Sequence, residues 1–283
     1  MASIELRARH VVEGLQHGMH RSPFLGSTVE FSSHREYVPG DDLRHVNWKL
    51  FARQKRLYVK EFDAENNLQL TILLDVSNSM GCANGELSKI EFSAILAMVF
   101  AHLCVQQHDA VGLITFSDDV HGNLPPRAQP QQLETLKQAM TLTKLKQCEN
   151  AAGGFQHAAE QTGQRRFVMI FSDMFGDMDG LLQGLDQLNY RRHEVVLFHV
   201  WDPVERHLPL DGLYRFDDLE TGEQIDVRAE GIRDAYLKRV QTWCDDLERE
   251  CRHRAIERYE LTTEDSVEQV VWDFLEQRAA YVA

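Results

Sequence analysis

At 283 residues the chain is long enough for one large α/β domain with attachments or for two domains, at the usual ~150 residues per domain. Its 43% hydrophobic and 26% charged residues, with 17 Gly and 7 Pro, exclude collagen-like, low-complexity and wholly disordered chains. Lys plus Arg is 30 and Asp plus Glu is 44, a net of −14, which excludes a general nucleic-acid binder whose affinity rests on phosphate neutralisation.

In chain order, Met1 to Arg7 has no apolar leader core, Ile4–Leu15 reads as an amphipathic helix, and Ser22 to Phe62 mixes short extended segments with the turn Pro39-Gly40-Asp41-Asp42. Residues 1–62 hold ten basic against seven acidic side chains, so the remainder carries −17. Arg35, Arg44, Arg53, Lys55, Arg56 and Lys60 could present a basic surface to a partner, while Tyr37, Trp48, Phe51, Tyr58 and Phe62 are too apolar to leave in water and should pack on the rest of the chain. Residues 1–66 are therefore expected to form an N-terminal arm or subdomain, with the boundary in the polar stretch Asp63–Asn67.

From residue 67 the pattern alternates. Leu68–Leu74 reads as a buried strand, Lys89–Gln107 as a helix, Val111–Phe116 as a strand, Pro130–Thr141 as a helix and Phe155–Glu160 as a short helix. Arg166–Phe171 is a strand, Leu181–Leu188 a helix, Glu194–Val200 a strand, Ile232–Cys251 a long helix, Ile256–Leu261 a strand and Val267–Gln277 a closing helix. This rhythm predicts an α/β fold with a doubly wound, mostly parallel sheet of about six strands over 67–283. Residues 202–229, with Pro203, Pro209 and Asp211-Gly212, interrupt it and are expected to form an excursion such as a hairpin. The longest apolar stretch, Ala94 to Val105, is far short of the ~20 residues that span a bilayer, so no membrane insertion and a soluble cytoplasmic protein are expected. Five cysteines without a C-x-x-C pair indicate neither a disulfide framework nor a zinc knuckle.

Ligands of open α/β sheets bind outside the carboxyl ends of the strands, where strand order reverses. The strand ends read Asp75-Val76-Ser77-Asn78-Ser79, Ser117-Asp118-Asp119 and Ser172-Asp173. Carboxylates with hydroxyls make a hard oxygen set that suits Mg²⁺, Mn²⁺ or Ca²⁺ better than zinc, and a D-x-S-x-S turn can aim alternate side chains at one ion. The plainer alternative is that Asp75 and Ser77 only cap the turn and that Asp173 is a turn residue. Asp118, Asp119, Asp177 and Asp179 read as a solvated acidic rim, and His102 as a packing residue.

Asp75-Val76-Ser77-Asn78-Ser79 after an apolar strand resembles the metal-ion-dependent adhesion site of von Willebrand factor A domains. His34 to Arg44, Trp48, Ala52-Arg53, Leu57 to Lys60, Asp202-Pro203 and Asp218-Leu219-Glu220-Thr221-Gly222 extend the resemblance. They are similar to the bacterial family called domain of unknown function fifty-eight, whose A domain follows such a segment. The resemblance implies a von Willebrand A-like fold without catalysis and a MoxR-type AAA+ ATPase as partner. It also implies Mg²⁺ or Mn²⁺ held by Asp75, Ser77 and Ser79 of a first loop and Asp173 of a third. The second loop departs from the family pattern Gly-Gly-Thr, because Gly153-Gly154 is followed by Phe155, which cannot ligate a hard cation unless Asn150 or a water substitutes. Phe155→Thr is then expected to restore an oxygen ligand and tighten metal binding.

The expected function is an adaptor or co-chaperone that takes a carboxylate from its partner on the bound ion. The alternative is a Mg²⁺-dependent phosphohydrolase with Asp75 as nucleophile and Ser117 and Asp173 in support, although Ser77 stands where that chemistry wants an acid. No G-x-S-x-G elbow and no G-x-x-x-x-G-K-[ST] loop occurs, so serine hydrolysis is not indicated and any ATP hydrolysis is left to a partner.

Overall fold

The computed structural model describes residues 7–8, 11–12, 31–36, 58–62, 68–148 and 151–282. The Pro39 to Asp42 turn, Tyr37, Trp48, Phe51, the proposed 63–67 boundary and Asn150 lie outside them. Two short strands, β1 (Phe31–Glu36) and β2 (Tyr58–Phe62), pair antiparallel. Earlier in the chain residues 7–8 and 11–12 are helical, and Ala8, Val11 and Val12 are buried in the same apolar cluster as the first core strand.

That strand is β3 (Gln69–Asp75), with every residue after Gln69 buried. It is followed by a 3₁₀ turn at Asn78–Gly81, α1 (Lys89–Gln106), β4 (Ala110–Phe116), β5 (Val120–Arg127), α2 (Gln131–Leu142) and α3 (Ala151–Gln161). Then come β6 (Phe167–Ser172), α4 (Met178–Tyr190), β7 (Glu194–Trp201), the short α5 (Pro203–His207) and a separate hairpin of β8 (Leu213–Asp217) and β9 (Gln224–Arg228). The long α6 (Ala229–His253), β10 (Glu257–Thr262) and α7 (Val267–Val282) complete the chain.

The main sheet has six strands in the order β10-β7-β6-β3-β4-β5, parallel throughout except for β5, which runs antiparallel to β4 at the edge. This is the doubly wound α/β arrangement that the alternation of runs predicts. The sixth strand, β5, was not marked by periodicity. Pro125 and Pro126 cannot donate to a ladder and are tolerated there because the strand is an edge.

Each face carries its own core. On one, α1, α2 and α7 pack through Phe92, Leu96, Phe100, Leu136 and Phe274 against Leu70, Ile72 and Phe198; on the other, α3, α4 and α6 pack through Phe155, Leu185 and Leu247 against Leu73, Ile114 and Ile170. Helix α1 begins with a capping box: Ser88 Oγ accepts from Glu91 N while the Glu91 carboxylate accepts from Ser88 N. Among the described residues it is the one helix long and apolar enough to cross a membrane, and most of it is buried in this core.

Candidate functional site

From β3 the chain runs through α1 to β4 on one side, then crosses to β6 on the other, so the strand order reverses between β3 and β6. Asp75 ends β3 and Ser172-Asp173 ends β6, which puts both on the crevice where open sheets bind ligands. The two ends are tied directly: Ser172 Oγ donates to Asp75 Oδ2 at 2.6 Å, and Asp75 Oδ1 accepts from Ser77 N at 2.9 Å. Asp75 and Asp173 are 2% and 1% exposed. Burial first, then the charge of Asp173, lifts Asp75 to about 6.

The two hydroxyls of the D-x-S-x-S turn converge, with Ser77 Oγ and Ser79 Oγ 3.0 Å apart. That is roughly the separation of adjacent oxygens on an octahedron with metal–oxygen bonds of about 2.1 Å. Asp173 lies within reach of the same turn through the Ser79 side chain. Asp75, Ser77, Ser79 and Asp173 are thus brought together as the sequence suggests.

Lys89, at the start of α1, is fully buried and donates to Asp173 Oδ2 at 2.8 Å and to Glu205 Oε2 at 2.6 Å. Burial alone would depress its ammonium, but the two carboxylates outweigh it and hold the group above its ordinary range. Conversely, burial works to raise Asp173, and Lys89 more than offsets it and holds this acid below the usual carboxylate range. Asp173 and Glu205 share one ammonium, and among the described residues Asp75 beside them has none. The excess negative charge and the paired hydroxyls fit a hard divalent cation at Asp75, Ser77 and Ser79, with Asp173 alongside. Among the described residues no three His, Cys, Asp or Glu side chains converge as a ligand set, so such a cation would rest largely on hydroxyls.

The expectation for Phe155 is corrected. Helix α3 already begins at Ala151, so Phe155 lies inside it and its ring points into the core, 1% exposed and 5.8 Å from the ring of Phe116. A Cβ on Gly184 would stand 2.5 Å from that ring, so the space is filled. A hydroxyl at position 155 would sit among apolar side chains, not beside Ser77. Gly154 is needed for another reason: a Cβ there would meet the Ser117 carbonyl oxygen at 1.9 Å, so the helix seats directly on the β4 end.

Ser117 itself is buried and shares its hydroxyl with His121 Nε2 at 2.6 Å and Asp118 Oδ1 at 3.0 Å. Of the expected acidic rim, Asp118 and Asp119 face His121 and His157, while Asp177 caps α4 by accepting from Gly180 N. His102 is half-buried on α1.

Several participants escape sequence reasoning. Buried His199 contacts the Asp173 carbonyl through Nε2 at 2.8 Å and Arg258 through Nδ1 at 3.0 Å. Because a guanidinium only donates, Nδ1 accepts and Nε2–H donates. Burial and Arg258 push His199 down to about 3, so it stays neutral and fixes the Asp173 backbone. Asp202 accepts from Asn84 N and Nδ2, tying the β7 end to the loop before α1. Glu220, at the tip of the β8–β9 hairpin, accepts from Ser79 N at 2.6 Å and from Cys148 N at 2.7 Å. The signal for Lys89 was available: it and Glu91 are the only Lys, Arg, Asp or Glu in an 18-residue apolar helix.

The family described as "Protein of unknown function DUF58" matches residues 33–243, and the chain belongs to it. Among its relatives are the uncharacterized proteins Rv1480 of Mycobacterium tuberculosis and Mb1516 of Mycobacterium bovis, each 24% identical over 229 residues, 78% of this chain and 70% of theirs. Among solved structures it is similar to BatB from Bacteroides thetaiotaomicron, with a TM-score of 0.46 and 16% identity over 75% of this chain and 99% of that one. The SpRpn10 VWA domain overlaps with a TM-score of 0.41 and 12% identity over 73% of this chain and 94% of that one.

Proposed function

We propose that the chain is a non-enzymatic protein-interaction module that receives an acidic side chain of its partner at the Asp75-to-Ser79 loop. A Mg²⁺ or Mn²⁺ ion would be held there by Asp75, Ser77 and Ser79 with Asp173 alongside. The observation that carries the reading is the 3.0 Å pair of serine hydroxyls beside two buried carboxylates at the strand-order switch point. Neutral hydroxyls leave such an ion electrophilic, so a partner carboxylate is a favoured additional ligand. The partner expected from the family resemblance is a MoxR-type AAA+ ATPase, with this chain as adaptor or co-chaperone in the cytoplasm.

The phosphohydrolase reading has less support. Two positions after Asp75, where that chemistry wants an acid to protonate the leaving group, stands Ser77, whose hydroxyl faces Ser79 Oγ at 3.0 Å. Calorimetric titration with Mg²⁺ and Mn²⁺ of the wild type, Asp75→Ala and the Ser77→Ala/Ser79→Ala double variant tests the site. Heat from the wild type alone is expected. Silence from all three folded proteins, or metal-dependent turnover of a phosphate ester that Asp75→Asn abolishes, would overturn it. Capture of a MoxR-type ATPase by the wild type, and not by Asp75→Ala, tests the partner.

A further inference from the structure

The β8–β9 hairpin lies outside the main sheet, and its tip is bound to the candidate site. Glu220 Oε1 accepts from Ser79 N at 2.6 Å and Oε2 from Cys148 N at 2.7 Å; the Glu220 carbonyl accepts from Gln147 Nε2 at 3.0 Å and the Leu219 carbonyl from Asn78 Nδ2 at 3.1 Å. The tip is shaped to deliver that carboxylate. Asp218 accepts from the backbone N–H groups of Glu220 and Thr221 at 2.8 and 3.0 Å, and Gly222 takes a φ of +75° that a side chain would resist. The hairpin body is otherwise loosely attached. No residue from 213 to 228 is buried, and a cleft of about 620 Å³ lined by Leu208, Leu210, Phe216, Ile225 and Tyr236 lies beneath it. An element with so few buried contacts opens at small cost.

We propose that Glu220 fills a carboxylate seat made by the Ser79 and Cys148 N–H groups beside the proposed ion site, and that the hairpin is a latch which must lift before an acidic partner reaches the loop. The inference rests on the reading of the Asp75-to-Ser79 loop as an acid receptor. The Ser79 and Cys148 N–H groups belong to two different segments, 141 and 72 residues from Glu220. Together they grip both oxygens of one carboxylate, a charge-assisted pairing that any Asp or Glu side chain of suitable reach can repeat. A partner gains access only by displacing Glu220, so its apparent affinity falls by the fraction of time the latch is open.

The probe is a capped peptide copying residues 218–222, and a second with its Glu replaced by Gln, titrated against full-length wild type, Glu220→Ala and the near-isosteric Glu220→Gln. Thermal melts establish folding, and Glu220→Gln serves if the alanine variant unfolds. At least tenfold tighter binding of the acidic peptide to Glu220→Ala than to the wild type is expected. The Gln peptide should bind neither protein, and amide exchange at Ser79 and Cys148 should be faster in the variant. Equal affinity for wild type and variant overturns the latch while leaving the receptor reading intact. Binding to neither folded protein also overturns the latch, while the ion-dependent receptor reading stands or falls on the metal titration above.

Discussion

Phe155→Thr separates a metal ligand from a core residue. The ring is 1% exposed, touches Phe116 at 5.8 Å, and is fitted to Gly184. Truncating a buried Phe to Ala costs about 3–5 kcal/mol, and Thr has one more methyl than Ala and a hydroxyl that can donate to a carbonyl in its own helix, so about 3 kcal/mol is expected. In a chain of this size that lowers the thermal midpoint by roughly 6–12 °C. The converse change, Gly184→Ala, places a methyl 2.5 Å from the ring and costs about 1–3 kcal/mol. Combining it with Phe155→Leu should recover about 1 kcal/mol relative to the sum, because the pair shares one space. Urea unfolding supplies the stabilities, and Mn²⁺ titration of the same proteins supplies the binding. A Phe155→Thr protein as stable as wild type that binds Mn²⁺ more than tenfold tighter would refute the placement of this ring in the core.

Two further perturbations concern the buried charges. Asp75→Asn should stabilise the cation-free protein at pH 7: the rise of Asp75 from 3.8 to about 6 corresponds to about 3 kcal/mol, from which roughly 1 is lost at the Ser172 contact. Since the folded chain holds that proton more tightly than the unfolded one, stability falls as pH rises from about 4 to 6. The advantage of Asn should accordingly be full at pH 7 and absent at pH 4 in urea titrations; an advantage independent of pH would refute it. Lys89→Met leaves Asp173 and Glu205 without their shared cation and should cost about 3–5 kcal/mol by chemical unfolding, part of which Glu205→Gln in the same chain restores; a loss under 1 kcal/mol would show the ammonium to be dispensable.

The main sheet was largely legible because buried parallel strands such as Leu70–Leu74 and Val168–Phe171 read as unbroken apolar runs. Strand β5 was not, since an edge strand with two prolines carries neither signal. Asp75, Ser77, Ser79 and Asp173 were legible because strand ends and a D-x-S-x-S spacing are local features. Phe155 was misplaced by four residues of helix: with α3 starting at Phe155 the side chain belongs to a loop, and with the start at Ala151 it belongs to the core. The contacts of Lys89, Glu205 and Glu220 stayed hidden for a different reason, although Lys89 stands out in an apolar helix and Glu220 lies in a family segment. Their partners are 84, 116 and 141 residues away, and only the register of the folded sheet brings them together.

These hidden contacts account for how the site keeps its shape. The crevice is lined by loops with little backbone pairing beyond the Ser77–Lys146 bridge, and several are fastened to a neighbouring segment through a carboxylate. Asp75 binds the β6 end through Ser172, Asp173 and Glu205 grip Lys89 at the head of α1, and Asp202 takes Asn84 of the preceding loop. Buried carboxylates are costly, so their concentration here is spent on holding Ser77 and Ser79 in place. Glu220 follows the same pattern with one difference. Asp75, Asp173 and Asp202 are anchored at the ends of core strands, whereas Glu220 rides on a hairpin with no buried residue. The same chemistry that fixes the other loops can therefore let go at this one.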